Sequence, residues 1–461
     1  MRSVLLTFVF SVPIFLQSAD TVEKVKKMTI NDALCGAYNH DKNKAAREET
    51  EAGHEQYVQA RAGMLPTLGL QGNYSDNKKE NSGDLNGSAK GPRTKTKRGS
   101  VVLSQNIFEG GKTFAKMDEA DATIKKSWSE LQKAEQTTLK DAATSYLDIF
   151  AATQNIDIAK GNLDFSKQQF ESTSEKQKVG EETITNVKAA EAQYFKGKAE
   201  YEASIAQLQS LKTDFKYKTN LEAPNSIEKP NINDVLPKTL DIAQDIALSN
   251  HYAIKSAENE ISIVDAKITQ VSGSFLPKID LEARGDSSST NTAGDLSPTA
   301  ATPGTIQSKD WQLTLSASIP IYEAGANRSQ LRQVYKKKSS AQIGLQTTRE
   351  QLKAAVKAAW IKVKSLEEQV DAYRQVVAAS KMAVNGLMEE HKAGSKTILD
   401  VLQEQTKSFN AQKQYVESEK EYFKSVYELL FTMGILNVSK LKLNVTEYDP
   451  SKDYAEVRKR F

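Results

Sequence analysis

The sequence predicts a mainly α fold with a small β part, a duplicated unit of long coiled-coil helical hairpins plus four amphipathic strands. Three observations predict it. Landmarks recur in one order: Leu65-Pro66 returns 211 residues later as Leu276-Pro277. Ile107-Phe108-Glu109-Gly110-Gly111 returns 214 later as Ile321-Tyr322-Glu323-Ala324-Gly325, and Val179-Gly180 with Thr183-Ile184 and Val187 returns at the same offset as Ala393-Gly394 with Thr397-Ile398 and Val401. An apolar seam runs at heptad spacing through both copies. Four short segments alternate apolar and polar residues.

Composition agrees with an elongated, water-facing molecule. The 461 residues are 39% hydrophobic and 26% charged, with 23 Gly and 11 Pro, and the mean hydropathy of −0.54 is low for a compact chain of this length. Basic and acidic residues nearly cancel, 62 against 59, so no basic face points to nucleic acid. A single cysteine, Cys35, excludes an internal disulfide and a cysteine-rich metal site. His54-Glu55 opens like a zinc-protease helix, but Val58 stands where the second histidine belongs. No cofactor and no metal ligand set is expected.

The first element is a secretory signal peptide over 1–19. Arg2 precedes an apolar run from Val4 to Leu16, and the small residues Ser18 and Ala19 precede the first charges. An N-terminal core helix is the other reading of that run. It is too short for a helical membrane span, which needs about 20 residues, and no run of eighteen apolar residues follows it. Any crossing must therefore be a closed β-barrel.

The first structural repeat is placed at 20–236, with strands at about 67–75 and 100–108 and a helical hairpin at about 112–220. The second is placed at 237–436, with strands at about 278–285 and 309–320 and a hairpin at about 326–434. In the second hairpin Val356, Ala359, Val363, Leu366, Val370, Tyr373, Val377, Ser380, Val384 and Leu387 alternate steps of three and four. In the first, Ala142, Ile149, Ile156, Leu163 and Phe170 keep the step of seven in the same register. A 3.5-residue seam on a helix calls for left-handed supercoiling against a partner. At 1.5 Å per residue, 112–178 makes a rod of about 100 Å.

Among the strands, Trp311, Leu313, Leu315, Ala317 and Ile319 alternate with Gln312, Thr314, Ser316 and Ser318. Ile279, Leu281 and Ala283 alternate with Asp280, Glu282 and Arg284. Leu68, Leu70 and Tyr74 share a face, and Val101 and Leu103 alternate more weakly. A soluble sandwich gives the same pattern. With a signal peptide and rods beside them, membrane strands fit better, and Tyr74, Phe108, Trp311 and Tyr322 suit an interfacial belt as well as plain packing. Four strands cannot close a barrel, so the chain must oligomerise, and three copies supply twelve. Segments 75–99 and 285–309 read as exposed polar loops, the first rich in Lys and Arg that meet either anionic surface sugars or only water. The tail, 437–461, reads as a belt around the rods or as disorder.

The Leu-Pro sites, the Ile-Phe-Glu-Gly-Gly and Ile-Tyr-Glu-Ala-Gly strand ends and the Val-Gly-x-x-Thr-Ile and Ala-Gly-x-x-Thr-Ile-Leu-Asp-Val-Leu turns resemble the TolC family of outer-membrane efflux proteins from about Thr29 to Leu436. The resemblance implies a homotrimer whose 12-stranded barrel, set in outer-membrane lipid, continues into a periplasmic α-helical barrel. It implies an exit duct for efflux or type I secretion, fed by an inner-membrane transporter through a periplasmic adaptor protein. It places the pore constriction at Asp400 and Gln403, with Glu404 adjacent, where Gln403 departs from the family's second aspartate. It places gate links at Asn186, His391 and Lys396, where Asn186 replaces an aspartate and His391 a tyrosine. Adaptor docking falls on Val179, Gly180, Glu181, Ala393, Gly394 and Ser395.

Two rival classes remain. A secreted or surface coiled-coil structural protein explains the heptads but not the paired strands. An enzyme is disfavoured: Gly110-Gly111-Lys112-Thr113 and Gly394-Ser395-Lys396-Thr397 resemble the end of a phosphate-binding loop, but Asn106 and Glu389 stand where its first glycine belongs. No catalytic residue is expected.

Overall fold

The structure, a computed structural model, describes residues 28–80, 90–224, 227–231, 236–293 and 304–460. The segment read as a signal peptide lies outside the described residues. Each half of the chain runs helix, helix, strand, strand, long helix, returning helix. The first half holds α1 (Ile30–Tyr38), α2 (Asp41–Ala62), β1 (Thr67–Glu80), β2 (Lys90–Glu109), α3 (Lys112–Lys178) and α4 (Ile184–Thr219). The second holds α5 (Leu240–Asn250), α6 (Tyr252–Gly273), β3 (Lys278–Ala293), β4 (Gly304–Ser318), α7 (Ala326–Lys392) and α8 (Ile398–Thr432), followed by α9 (Val438–Leu441) and α10 (Pro450–Val457). Both long helices have 67 residues, and no described helix is long and apolar enough to cross a membrane.

The same backbone device starts and stops both rods. Gly111 and Gly325 stand at their N-caps with φ of 79° and 83°, and Gly180 and Gly394 follow their ends with φ of 85° and 79°, in the left-handed region that glycine enters without a Cβ clash. At each tip the backbone N–H three residues beyond the last helical residue reaches back to an orphan carbonyl: Glu181 to Lys176 at 2.9 Å and Ser395 to Glu390 at 3.0 Å. The two bonds lie 214 residues apart, so the duplication extends to the hydrogen bonds of the turns.

The heptad seam is buried as the spacing requires. Val356, Val363, Val370 and Val384 are the covered residues along the middle and distal part of α7, and Ala142 and Ile149 are fully buried on α3. Toward the α3 tip, however, Ile156, Leu163 and Phe170 are only half-buried, and the covered positions are Ala152, Ala159, Ser166 and Thr173. These keep the step of seven at the other seam position, matching Leu366, Tyr373, Ser380 and Leu387 of the second copy. Small residues there bring α4 close, and Gly197 lies against the Leu163 backbone. The main core forms where α1, α5, the rods, the returning helices and the tail meet, around Leu34, Tyr146, Phe215, Val356, Leu429 and Met433. There the Tyr146 hydroxyl lies 2.6 Å from the Glu228 carbonyl and 2.9 Å from that of Met28.

The strands form one antiparallel sheet in the order β1-β2-β3-β4. They are longer than the sequence pattern predicts: the segments read as loops, 75–99 and 285–309, are strand for most of their described length, with Tyr74 facing Lys97 and Ser289 facing Gln307. Apolar alternation stops where neither face meets a greasy medium, while backbone pairing continues through Ser, Thr and Asn. At the other end Ile319 and Pro320, placed in the last strand, fall outside β4.

The tail folds back on α2 and α3. The Trp128 indole N–H donates to His54 Nε2 at 2.9 Å, which leaves the imidazole proton on Nδ1, 2.6 Å from the Asp453 carboxylate. The Tyr454 hydroxyl donates to Asp121 at 2.8 Å, and Tyr57 and Ile124 complete the cluster.

Two predictions follow from this packing. A Cβ on Gly273 would lie 2.5 Å from the Gly110 carbonyl oxygen, and one on Gly110 would lie 2.2 Å from that of Gly273, so the backbones touch where the sheet joins the helices. Gly273→Ala is expected to lower the protein's apparent melting temperature by several degrees, on the order of 2 kcal/mol of overpacking, whereas Gly161→Ala, in open space inside α3, leaves it unchanged or raises it slightly. Burial holds the His251 imidazole down at about 4, below its ordinary 6.5, so the unfolded chain takes up a proton that the folded chain refuses. Stability is therefore complete above about pH 6.5 and falls on acidification toward pH 4, by about 3 kcal/mol. His251→Asn keeps a capping side chain for α6 and should flatten that part of the melting-temperature profile; superimposable profiles would contradict it.

Candidate functional site

The sheet has two chemically distinct faces, fixed by its register. One carries Leu68, Leu70, Val101, Leu103, Ile279, Leu281, Ala283, Trp311, Leu313, Leu315 and Ala317, which pair across the four strands as neighbours on one side. Trp311 lies over Gly285 on that side, within 2.7 Å of where a Cβ would stand. The side chains on β1, β2 and β4 are exposed in the single chain, Trp311 by 87% and Leu70 by 83%, and Ile279, Leu281 and Ala283 on β3 are half-buried between them, as a lipid-facing wall allows. The opposite face is polar. There the Arg284 guanidinium donates to Asp286 at 2.7 Å, Ser100 donates to the other oxygen of Asp286 at 2.7 Å, and Asn106 donates to Asp280 at 3.2 Å. Gln312, Thr314 and Ser316 continue it along β4. A strand set greasy on one side and hydrogen-bonded on the other is a pore wall, open at β1 and β4.

At the far end of the rods the tips carry the residues assigned by family resemblance. Val179, Gly180 and Glu181 stand exposed at one turn, and Ala393, Gly394 and Ser395 at the other. The second turn is tied down more fully: the Ser395 hydroxyl donates to the Glu390 carbonyl at 2.9 Å, and His391 Nδ1 lies 3.0 Å from the Lys396 carbonyl. Ile398, Val401 and Leu402 of α8 bury against Ala190 of α4, joining the two hairpins just behind their turns.

Asp400 is the third residue of α8 and completes a capping box with Thr397. Its carboxylate accepts from the Thr397 hydroxyl at 2.8 Å and the Thr397 N–H at 3.0 Å. Those two bonds hold the carboxyl below the ordinary carboxylate range, so it stays charged through mild acidification. Gln403 is exposed, and Glu404 pairs with Lys407 at 2.9 Å. With spacings of three and four residues, Asp400, Gln403 and Glu404 share one face of α8.

Within one chain Asn186 does not reach Lys396. Its side-chain amide donates to Glu182 at 2.7 Å, and its backbone N–H donates to Thr183, the cap of α4. Lys396 is exposed. Sequence reasoning missed the His54–Asp453 clasp and the Gly110–Gly273 contact, whose partners lie about 400 and 160 residues apart with no local signal. No group of three or more His, Cys, Asp or Glu able to hold a metal occurs among the described residues.

Residues 39–212 and 244–434 match the outer membrane efflux protein family. The chain belongs to that family. Among its relatives, the outer membrane efflux protein BepC of Brucella suis biovar 1 is 26% identical over 78% of this chain and 77% of its own, and the outer membrane protein TolC of Escherichia coli K12 is 24% identical over 87% and 80%. The alkaline protease secretion protein AprF of Pseudomonas aeruginosa is 20% identical over 88% and 84%. Among solved structures, the Campylobacter jejuni CmeC outer membrane channel superposes with a TM-score of 0.71 at 17% identity, covering 93% of this chain and 89% of that one. The family member thus forms a trimeric channel in the outer membrane, its three sheets making one barrel of twelve strands and its helices one periplasmic tube. It is an outer-membrane exit duct for efflux or secretion, and the rod-only structural reading leaves its amphipathic sheet without a role.

Proposed function

We propose that this duct receives cargo from an inner-membrane transporter through a periplasmic adaptor that docks on the two glycine turns. The observation that carries the reading is the placement of both turns: exposed, built on one hydrogen-bond pattern, and at the opposite end of the rods from the lipid-facing sheet. Small residues at a tip let a partner hairpin approach end to end. The chain contributes a passage and a gate, and we assign it no catalysis and no cofactor.

The gate in this reading is the ring formed where three α8 helices converge. Three Asp400 carboxylates, each fixed in charge and orientation by its own Thr397, focus a negative potential in a narrow mouth. Gln403 removes the second carboxylate of the family pattern, so the constriction holds three fixed charges rather than six, with weak cation preference as the consequence. Since Asn186 is engaged with Glu182 in the turn that precedes its helix, a bond with Lys396 forms between neighbouring hairpins of the ring or not at all. With a neutral amide there, the latch lacks the charge-assisted bond, about twice as strong as a neutral one, that an aspartate provides.

The relatives carry both cargo classes in their names, efflux for BepC and protease secretion for AprF. We favour small-molecule efflux because BepC matches at the higher identity. Deleting the gene tests this: loss of resistance to several toxic compounds with an unchanged secreted proteome is the expected outcome, and a missing exoprotein with unchanged resistance would reassign the cargo. For the gate, Asn186→Asp should lower the closed-state conductance of the trimer in planar bilayers severalfold, while unchanged conductance would remove Asn186 from it. Asp400→Asn should reduce the cation-to-anion permeability ratio toward one, and an unaltered reversal potential in a salt gradient would place the selective step elsewhere.

A further inference from the structure

The lipid-facing side of the sheet does not end at its apolar rows. Beyond Trp311, toward the end of the barrel farthest from the helices, the same face continues through Lys309, then Lys97 beside Tyr74, then Lys95 beside Asp76, then Arg93 beside Lys78. No register shift occurs between Arg93 and Asn106 on β2 or between Thr67 and Lys78 on β1, so these side chains stand on the face of Leu103, Val101, Leu70 and Leu68. The Arg93 guanidinium confirms the face by gripping Asp76 with two bonds, of 2.8 and 2.6 Å. Asp76 is the single acidic residue in these rows of the outward face among the described residues.

We propose that these outward basic rows bind the phosphate groups of an anionic lipid in the outer leaflet of the outer membrane.

Depth supports it first. Successive rows on one face are two residues apart, about 7 Å along a strand and about 5 Å in height at the tilt of a membrane barrel. The four apolar rows from Ala317 to Trp311 thus span about 15 Å of an apolar band of about 25 Å, whose outer edge falls among the lysine rows above. Lys309, Lys97 and Lys95 fall in the next roughly 5 to 15 Å, where headgroup phosphates lie, with the Tyr74 and Trp311 rings at the boundary. Lys97 on β2 and Lys309 on β4 are two strands apart, about 10 Å, a span that suits a headgroup bearing two phosphates.

Segregation of charge supports it second. The lumen face of the same rows carries one base, Arg98, among the neutral Asn73, Thr94, Thr96, Ser288, Thr290 and Ser308, with the acidic Asp286 and Asp310 one row nearer the helices. A polar rim needing only solubility has no reason to place lysines on one side. Guarding an exposed edge strand does not explain them, because Arg93, Lys95 and Lys97 all lie on β2, which pairs on both sides. No ion pair among the described residues engages Lys95, Lys97 or Lys309. A free phosphate ion would gain nothing from the aromatic and apolar rows beneath, whereas a lipid places acyl chains on those rows and phosphate on the lysines.

The purified full-chain trimer in neutral detergent provides the test, with bound lipid counted by native mass spectrometry. The probes are a diphosphorylated glycolipid of the outer leaflet and the same lipid enzymatically dephosphorylated. The trimer is expected to bind the phosphorylated form on the order of tenfold to a hundredfold more tightly. Lys95→Gln, Lys97→Gln and Lys309→Gln combined should remove that preference, the corresponding Lys→Arg set should keep it, and Arg98→Gln, on the lumen face of the same strand, should leave it intact. Should the triple variant fail to trimerise, Lys97→Gln and Lys309→Gln alone carry the comparison, each expected to weaken binding about fivefold. Equal affinity for the two lipids, an unchanged preference in the glutamine variants, or an equal loss with Arg98→Gln would overturn the proposal. Displacement of the lipid by about 10 mM inorganic phosphate would overturn it too, by showing a free-ion site instead.

Discussion

Hydrocarbon offers no partner for a backbone N–H or carbonyl, so a sheet that enters a bilayer must close on itself. The described residues form four strands with two open edges, β1 and β4, which another copy can fill. The remaining architecture follows from that closure. Because each strand pair continues directly into a rod, a ring of strands imposes a ring of helices. The left-handed glycines at 111 and 325 and the backbone contact of Gly110 with Gly273 turn one ring into the other within a few residues. Exposed apolar side chains along the rods, such as Ile343, Ile361, Val376 and Met382 on α7, belong to the same closure, since they lack cover within one chain.

Much of this was legible in the sequence because duplication and periodicity are local signals. The 214-residue offset located both rods, both turns and both strand pairs, and the alternation around Trp311 and Leu281 identified the lipid-facing residues. Strand length was not legible. The pattern fades where both faces become wet, and Ser287, Ser288 and Ser289 look like a loop although their backbones are paired on both sides. The clasp of the tail was hidden for a different reason. His54, Trp128 and Asp453 come from three distant segments, and a histidine satisfied on both nitrogens carries no spacing signature.

In the proposed gate one side chain serves structure and conduction together. Asp400 caps its helix and, in that reading, supplies the charge of the constriction, and the bonds that make it a cap also keep it ionised. The substitution to Gln403 carries no such structural role, since Gln403 makes no capping bond, so the chain could lose that carboxylate without loss of the helix. Resemblance located these residues, and only the geometry showed which charge is fixed and that Asn186 is occupied within its own chain by Glu182.

The central claim is that three chains enclose one continuous water-filled lumen from the lipid-facing sheet to the helical tips. Electron cryomicroscopy of the full-length protein in lipid nanodiscs measures this directly. The account predicts a threefold particle with twelve strands in the lipid disc, a helical tube of about 100 Å beyond it, and an axial lumen narrowing at Asp400. A monomeric particle in lipid, or an axis filled by side chains along its length, would contradict it.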